Sequence, residues 1–199
     1  MKKLIAMGTL PVLFLYMLVS CDVECELQQF AVYHGEIPDS IINLVPYENG
    51  EVVNFLNADG KILTYHVVRE SKQLTEQIVE ECYVSSTTYA VDETNLVSDS
   101  ANCPIEFAIT NRVEFDFYAV KIKNTDFTIP ATEYYYQLAH VVDSMTINNV
   151  VYYNVLKETP FYFESQNADS LNADTLFYNY EFGILEIDFE NGERFQRVP

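Results

Sequence analysis

Ile184-Leu185-Glu186-Ile187-Asp188-Phe189, then Glu190-Asn191-Gly192, then Glu193-Arg194-Phe195-Gln196-Arg197-Val198 closes the chain. Alternation of apolar and acidic residues is the period of a half-buried strand, and Asn-Gly is a hairpin turn pair. This reading places Leu185, Ile187 and Phe189 on a core face and Glu186 and Asp188 in solvent. The same grammar recurs upstream. Glu51 to Leu56, the turn Asn57-Ala58-Asp59-Gly60, and Lys61 to Arg69 form a second hairpin. Thr146-Ile147-Asn148-Asn149-Val150-Val151-Tyr152 forms a third, around Asn148-Asn149. From Arg112 to Ala119 the alternation puts Val113, Phe115, Phe117 and Ala119 on one side. It then changes phase to Val120 and Ile122, which predicts a bulge between Tyr118 and Val120.

Fifteen Tyr and thirteen Phe suit pleated sheet surfaces. Glu133 to Ala139 reads as a short helix or a strand, and Ser165 to Ala173 as loop. Tyr47-Glu48-Asn49-Gly50 is echoed by Tyr180-Glu181-Phe182-Gly183, which two similar hairpins suffice to explain. The expected fold is all-β: a single antiparallel β domain, a sandwich or a curled half-barrel, with one short helix.

The N-terminus carries a different signal. Met1-Lys2-Lys3 precedes an apolar run from Leu4 to Val19, and Leu18-Val19-Ser20-Cys21 resembles the processing site of a bacterial lipoprotein, in which the Cys is lipidated. Gly8 and Pro11 interrupt the run, which is short for a membrane span of roughly 20 residues. The implied division is residues 1–20 as signal peptide, 21–30 as a lipidated acidic tether and 31–199 as the β domain. The mature chain then has about 180 residues and a net charge of about −21. Such a charge disfavours nucleic acid and anionic headgroups. Beyond the inner membrane Cys82 and Cys103 are either a disulfide closing a polar loop or two buried thiols, with Cys25 left over in the tether.

Thr146-Ile147-Asn148-Asn149-Val150-Val151-Tyr152-Tyr153-Asn154-Val155 is similar to a hairpin of small envelope lipoproteins of the Bacteroidota, where a strand and Asn-Gly lead into Tyr-x-Asn-Val. Here Asn149 replaces the Gly, and Asn tolerates positive φ. Tyr178-Asn179-Tyr180-Glu181-Phe182-Gly183-Ile184-Leu185-Glu186-Ile187, ending in Asn191-Gly192, resembles the closing segment of the same lipoproteins, with Phe195 where an aromatic, often Trp, follows. The resemblance covers about the last third of the chain and, loosely, residues 46–68. It implies an antiparallel β domain on a lipid anchor at the cell outer membrane, facing either the periplasm or the surface, and carries over no catalytic residue. Acidic Asp22, Glu24 and Glu26 beside the lipid site match the export signals of similar lipoproteins. The O-glycosylation pattern of these bacteria, Asp then Ser or Thr then a small or aliphatic residue, matches at Ser40, Ser100, Ser144, Ser170 and Thr175. Chance accounts for about 0.5 such matches at this composition, and ordinary Asp-Ser turns are the alternative. Sugar there marks exposed loops.

Catalytic and cofactor motifs are absent from the sequence. His34, His66 and His140 sit in unrelated segments without metal-ligand spacing, no Gly-x-Ser-x-Gly elbow occurs, and six unclustered Gly make no phosphate loop. Glu114/Asp116 and Glu186/Asp188 are read as solvent-face pairs rather than glycosidase carboxylates. Tyr134-Tyr135-Tyr136 is the most binding-like run, for a sugar or a peptide, with packing on a sheet face as the alternative. The expectation is a non-enzymatic binding or accessory module without metal or cofactor, held to the membrane by lipid, for an unknown protein or glycan partner. A structural lipoprotein docking a protein and a hydrolase are the alternatives.

Overall fold

The computed structural model describes residues 28–80, 83–111, 117–137, 139–160, 162–163 and 172–199. Thirteen strands make one sheet: β1 (Gln28–Tyr33), β2 (Val52–Asn57), β3 (Ile62–Glu80), β4 (Tyr83–Val97), β5 (Ile105–Thr110), β6 (Phe117–Ile122), β7 (Thr125–Pro130), β8 (Val141–Ile147), β9 (Val150–Glu158), β10 (Tyr162–Phe163), β11 (Ala173–Asn179), β12 (Gly183–Phe189) and β13 (Arg194–Arg197). Single helical turns occur at α1 (Asp39–Ile42) and α2 (Glu133–Tyr136). The sheet order is β10-β7-β6-β5-β4-β3-β2-β13-β12-β11-β9-β8, with every neighbour antiparallel. Only β1 departs from this, lying parallel to β4. The expected all-β antiparallel domain is therefore the observed fold, and of its two forms, sandwich or curled half-barrel, the half-barrel is the one adopted.

The sheet curls until its distant strands meet. Thr125 Oγ1 on β7 accepts the Ala173 amide of β11 at 3.1 Å, and the Tyr180 hydroxyl donates to Pro130 O at 2.5 Å. Phe127 and Ile129 of β7 share one core with Leu156 of β9 and Leu176 of β11. Curling follows from the twist that a long run of strands accumulates.

Residues 38–47 fill the concave side. Buried irregular backbone needs hydrogen-bond partners, and side chains supply them. Arg69 of β3 donates Nη1 to Val45 O and Tyr47 O and Nη2 to Ile42 O, at 2.7 to 2.9 Å. Leu44 O accepts the hydroxyls of Tyr118 on β6 and Tyr178 on β11. Arg69 is neutralised by Asp92 of β4, whose side chain is 2% exposed and whose second oxygen takes the Ser71 hydroxyl at 2.6 Å. Tyr47, buried, accepts the Ile184 amide of β12 at 2.7 Å, and burial pushes its phenol up to about 12.

Turn chemistry matches the sequence in three places. Asn148 and Asn149 take φ of 48° and 66°, so Ile147 pairs with Val150 across a two-residue turn of the primed kind. The loop 57–60 and the loop 189–192 close β2–β3 and β12–β13 through Gly60 and Gly192. The expected bulge is misplaced. β6 pairs without a break against β5 and β7, with Tyr118, Val120 and Ile122 buried, and the residues that suggested a phase change, 112–116, lie outside the described ones. The register shifts instead lie in the β11–β12 ladder, at Ala173/Thr175 and Phe177/Tyr178. The second leaves Leu185 as the extra residue. Ile184 and Ile187 consequently share the main core while Leu185 points into a separate cluster with Ile147, Tyr152 and Val155.

That cluster exists because the β8–β9 hairpin folds back over the outer face of β12, its Asn148 side chain reaching Arg197 O at 2.8 Å. Glu186, expected in solvent, is consequently only 3% exposed. It accepts the Gln196 amide at 2.6 Å with Arg194 at 3.4 Å, and burial raises its pKa.

One further expectation changes. The strand after Gly60 continues past Arg69 to Glu80 and forms, with β4 and β1, an arm projecting from the barrel. β1 spans Gln28–Tyr33, so residues 28–30 of the expected tether lie in strand. Cys103 is a free, buried thiol pushed up to about 12 by desolvation. Cys82 lies outside the described residues.

Two stability outcomes follow. Arg69→Met leaves the buried Asp92 carboxylate without its counter-charge and removes the guanidinium from Val45 O and Tyr47 O, so denaturant melts should show a loss of about 3–5 kcal/mol. Gly183 has φ 77° and a Cβ there collides with the Tyr47 ring, whereas Gly192, φ 84°, faces open space. Gly183→Ala should cost about 3 kcal/mol and Gly192→Ala about 1 kcal/mol in the same measurement.

Candidate functional site

The fold-back of the β8–β9 hairpin needs a hinge, and Asn154 provides it. It has φ 54° in the middle of β9, a left-handed conformation that Asn tolerates better than other non-Gly residues. One such residue shifts the alternation, so Tyr152 and Val155 point to the same small core although three positions apart. The β9–β11 ladder runs from Leu176↔Glu158 to Tyr178↔Leu156 and stops there. Asn179 bridges the parted strands: its Nδ2 donates to Tyr153 O at 2.8 Å, and its Oδ1 accepts the amides of Glu181 and Phe182 at 2.8 and 3.1 Å.

Where the strands part, an open groove of about 480 Å³ forms, bounded by Tyr136, Tyr153, Asn154, Asn179, Glu181 and Phe182. Tyr153 is 65% exposed. Phe182 is held edge-on to buried Tyr152 at 5.2 Å, and Tyr136 lies 5.8 Å from Tyr180. Phe182 and Tyr136 are thus each packed against a second ring, while Tyr153 stands in solvent. An apolar hollow of about 290 Å³, lined by Leu44, Pro130, Ala131, Thr132, Tyr136 and Tyr180, adjoins them. Among the described residues the groove chemistry is aromatic rings and carboxamides, with Glu181 as the one formal charge. That combination offers stacking surfaces and paired donors and acceptors.

Glu158 sits behind the groove, close enough to oppose ionisation of Tyr180. Its Oε1 is buried without a hydrogen-bond partner, and desolvation pushes the carboxyl up to about 7.

Of the tyrosine run, α2 carries all three residues, and Tyr136 reaches the groove. Tyr134 is exposed elsewhere on the turn, and the Tyr135 side chain lies outside the described ones. A four-residue helix cannot point three successive side chains one way. Tyr153, Phe182, Asn154 and Asn179 were legible only as turn and core residues. Positive φ at Asn154, in a Tyr-Asn-Val setting with no turn, has no sequence mark of its own.

The glycosylation candidates scatter. Ser40 lies in α1, Ser100 in the loop before Ala101, and Ser144 is exposed on β8. Ser170 lies outside the described residues, as does Cys21. Thr175 departs from the exposed-loop expectation: it is 7% exposed, within β11, its hydroxyl donating to Asp174. Glu114 and Asp116 are also outside the described residues. Among the described residues no three His, Cys, Asp or Glu gather as metal ligands.

No protein-family model matches this chain, and no curated protein or solved structure does so either.

The Glu158 carboxyl gives a signed pH dependence. Unfolded, it titrates near about 4.3; folded, near about 7. The folded state holds the extra proton between those values, so this group's penalty is fully present above pH 7 and relieved as pH falls toward 4.3. Glu158→Gln should raise stability by about 1 kcal/mol at pH 8, allowing for partial solvation, and leave it unchanged at pH 4. Thermal melts at both values read this.

Proposed function

We propose that this chain is a lipid-anchored lipoprotein of the bacterial outer envelope that binds a neutral glycan, without catalysis, in the groove at the parting of β9 and β11. The observation that carries the binding role is a groove bounded by Tyr153, Phe182 and Tyr136, the last two backed by packed aromatics, and flanked by Asn154 and Asn179. Pyranose rings present flat C–H faces that suit aromatic stacking, and their hydroxyls pair with carboxamides. Groups so fixed are pre-organised, so little entropy is lost on binding. The strongly acidic surface keeps the chain dispersed and turns away polyanions, which fits an uncharged ligand. The anchor is supported by the Cys21 context and by the resemblance to envelope lipoproteins.

Purified protein on an array of neutral and acidic glycans should bind neutral oligosaccharides. Tyr153→Ala should weaken this about tenfold with an unchanged melting temperature, since the ring stands mostly in solvent. Lack of binding to every glycan, or wild-type binding by Tyr153→Ala, refutes the groove assignment. Labelling with a fatty-acid analogue, lost in Cys21→Ala, checks the anchor separately.

A further inference from the structure

Among the described residues, the β3–β4–β1 arm leaves one long strand edge open. β2 covers β3 only from Ile62 to His66. Gly50 and Glu51 then bond Val67, and the Asn49 side chain takes the Arg69 amide. Beyond Arg69 no described strand adjoins this side. Val67 and Arg69 show which backbone groups face outward, so Ser71, Gln73, Thr75 and Gln77 present free-edge N–H and C=O groups. Open edges of this length are templates for another strand.

The side chains decide which strand. Register with β4 is unbroken from His66 to Glu80, so Glu70, Lys72, Leu74, Glu76 and Ile78 share one face and Ser71, Gln73, Thr75 and Gln77 the other. Leu74 and Ile78 are exposed apolar residues on the charged face.

The geometry points to a second copy of this chain as the occupant, with β3 pairing antiparallel to β3 about a two-fold axis at Leu74. In that register Leu74 meets its own counterpart. Lys72 stands opposite Glu76 of the second copy, and Glu76 opposite Lys72, so opposite charges meet twice. On the other face Gln73 meets Thr75 and Ser71 meets Gln77, all uncharged. The outward-facing odd residues pair with one another, as an antiparallel ladder demands. Neighbouring registers are worse. Centred on Gln73, Glu70 faces Glu76; centred on Thr75, Leu74 faces Glu76 and Lys72 faces Ile78. An isologous contact closes after two copies, and opposite-charge pairs of this kind set register. Asn49 at Arg69 ends the ladder, which spans Ser71 to Gln77, about 24 Å. Lys72 is already drawn to Glu93 at 2.6 Å, so Glu76 of the second copy adds a second acid to an oriented ammonium.

Full-length protein in detergent tests this, in a background where Cys25 and Cys82 are Ser. The Leu74 pair across the axis has Cα atoms about 4.5 Å apart, within disulfide range. Leu74→Cys should therefore crosslink to a dimer on mild oxidation, and Ile78→Cys, which faces Glu70 of the other copy, should not. In sedimentation the parent should be dimeric, Lys72→Glu monomeric, and Lys72→Glu with Glu76→Lys dimeric again. Circular dichroism identifies any variant that has lost its fold. A monomer at all concentrations up to about 100 μM, equal crosslinking at positions 74 and 78, or a charge swap that fails to restore the dimer overturns the pairing.

Discussion

The Arg69 guanidinium is the interaction on which the rest of this fold depends. A half-barrel with one open concave side must fill that side, and this chain fills it with irregular backbone, residues 38–47. The carbonyls of such a segment lose water on burial, and each unpaired one is costly. Arg69 serves three of them and is itself neutralised by Asp92. Tyr118 and Tyr178 serve a fourth from opposite sides of the curl. This explains why the core uses Tyr where Phe has equal apolar mass: buried hydroxyls are the donors that a plug without ladder partners requires. Position β3, β6, β11 and β12 correctly around that plug, and the curvature of the sheet is set.

The groove arises from the same economy of backbone partners. A hairpin that continued flat from β11 would leave Leu185 and Glu186 of β12 facing solvent. The positive φ at Asn154 turns the hairpin onto them, and the parted backbone is recovered by a side chain, Asn179. The site is thus a crease in a sheet rather than a cavity between elements. Its walls are fixed by ladder and side-chain bonds, while its aromatic edge stands in solvent.

Hairpins with a marked turn were readable in the sequence, because Asn-Gly, Asp-Gly and Asn-Asn state their dihedral angles locally. Alternation fails as a guide wherever both faces are covered or neither is. In β12 the folded hairpin buries the face carrying Glu186. In the arm, Glu70 to Glu80 mixes polar residues on both faces, so nothing in their pattern extends the strand past Arg69. The parallel β1 is a long-range pairing with no local mark, closed by Asn111, whose side chain accepts the Ala90 amide and donates to His34 O and Gly35 O. Tyr136, which the sequence offers either as a ligand contact or as sheet packing, lines the groove. Tyr153 and Phe182, its stronger walls, were hidden as ordinary strand and turn residues, because the hinge that exposes them acts through tertiary packing.

β1 enters the molecule at the tip of the arm, where Gln28 pairs with Tyr83, and runs toward the barrel, ending at Tyr33 beside Thr88. A pull on its N-terminal end therefore acts along the strand and away from the barrel. Parallel alignment makes this a shearing load, shared by all the inter-strand bonds at once, whereas an antiparallel β1 entering from the barrel end would peel open one bond at a time. The direction of a single strand gives this chain a mechanically stiff grip on whatever lies before residue 28.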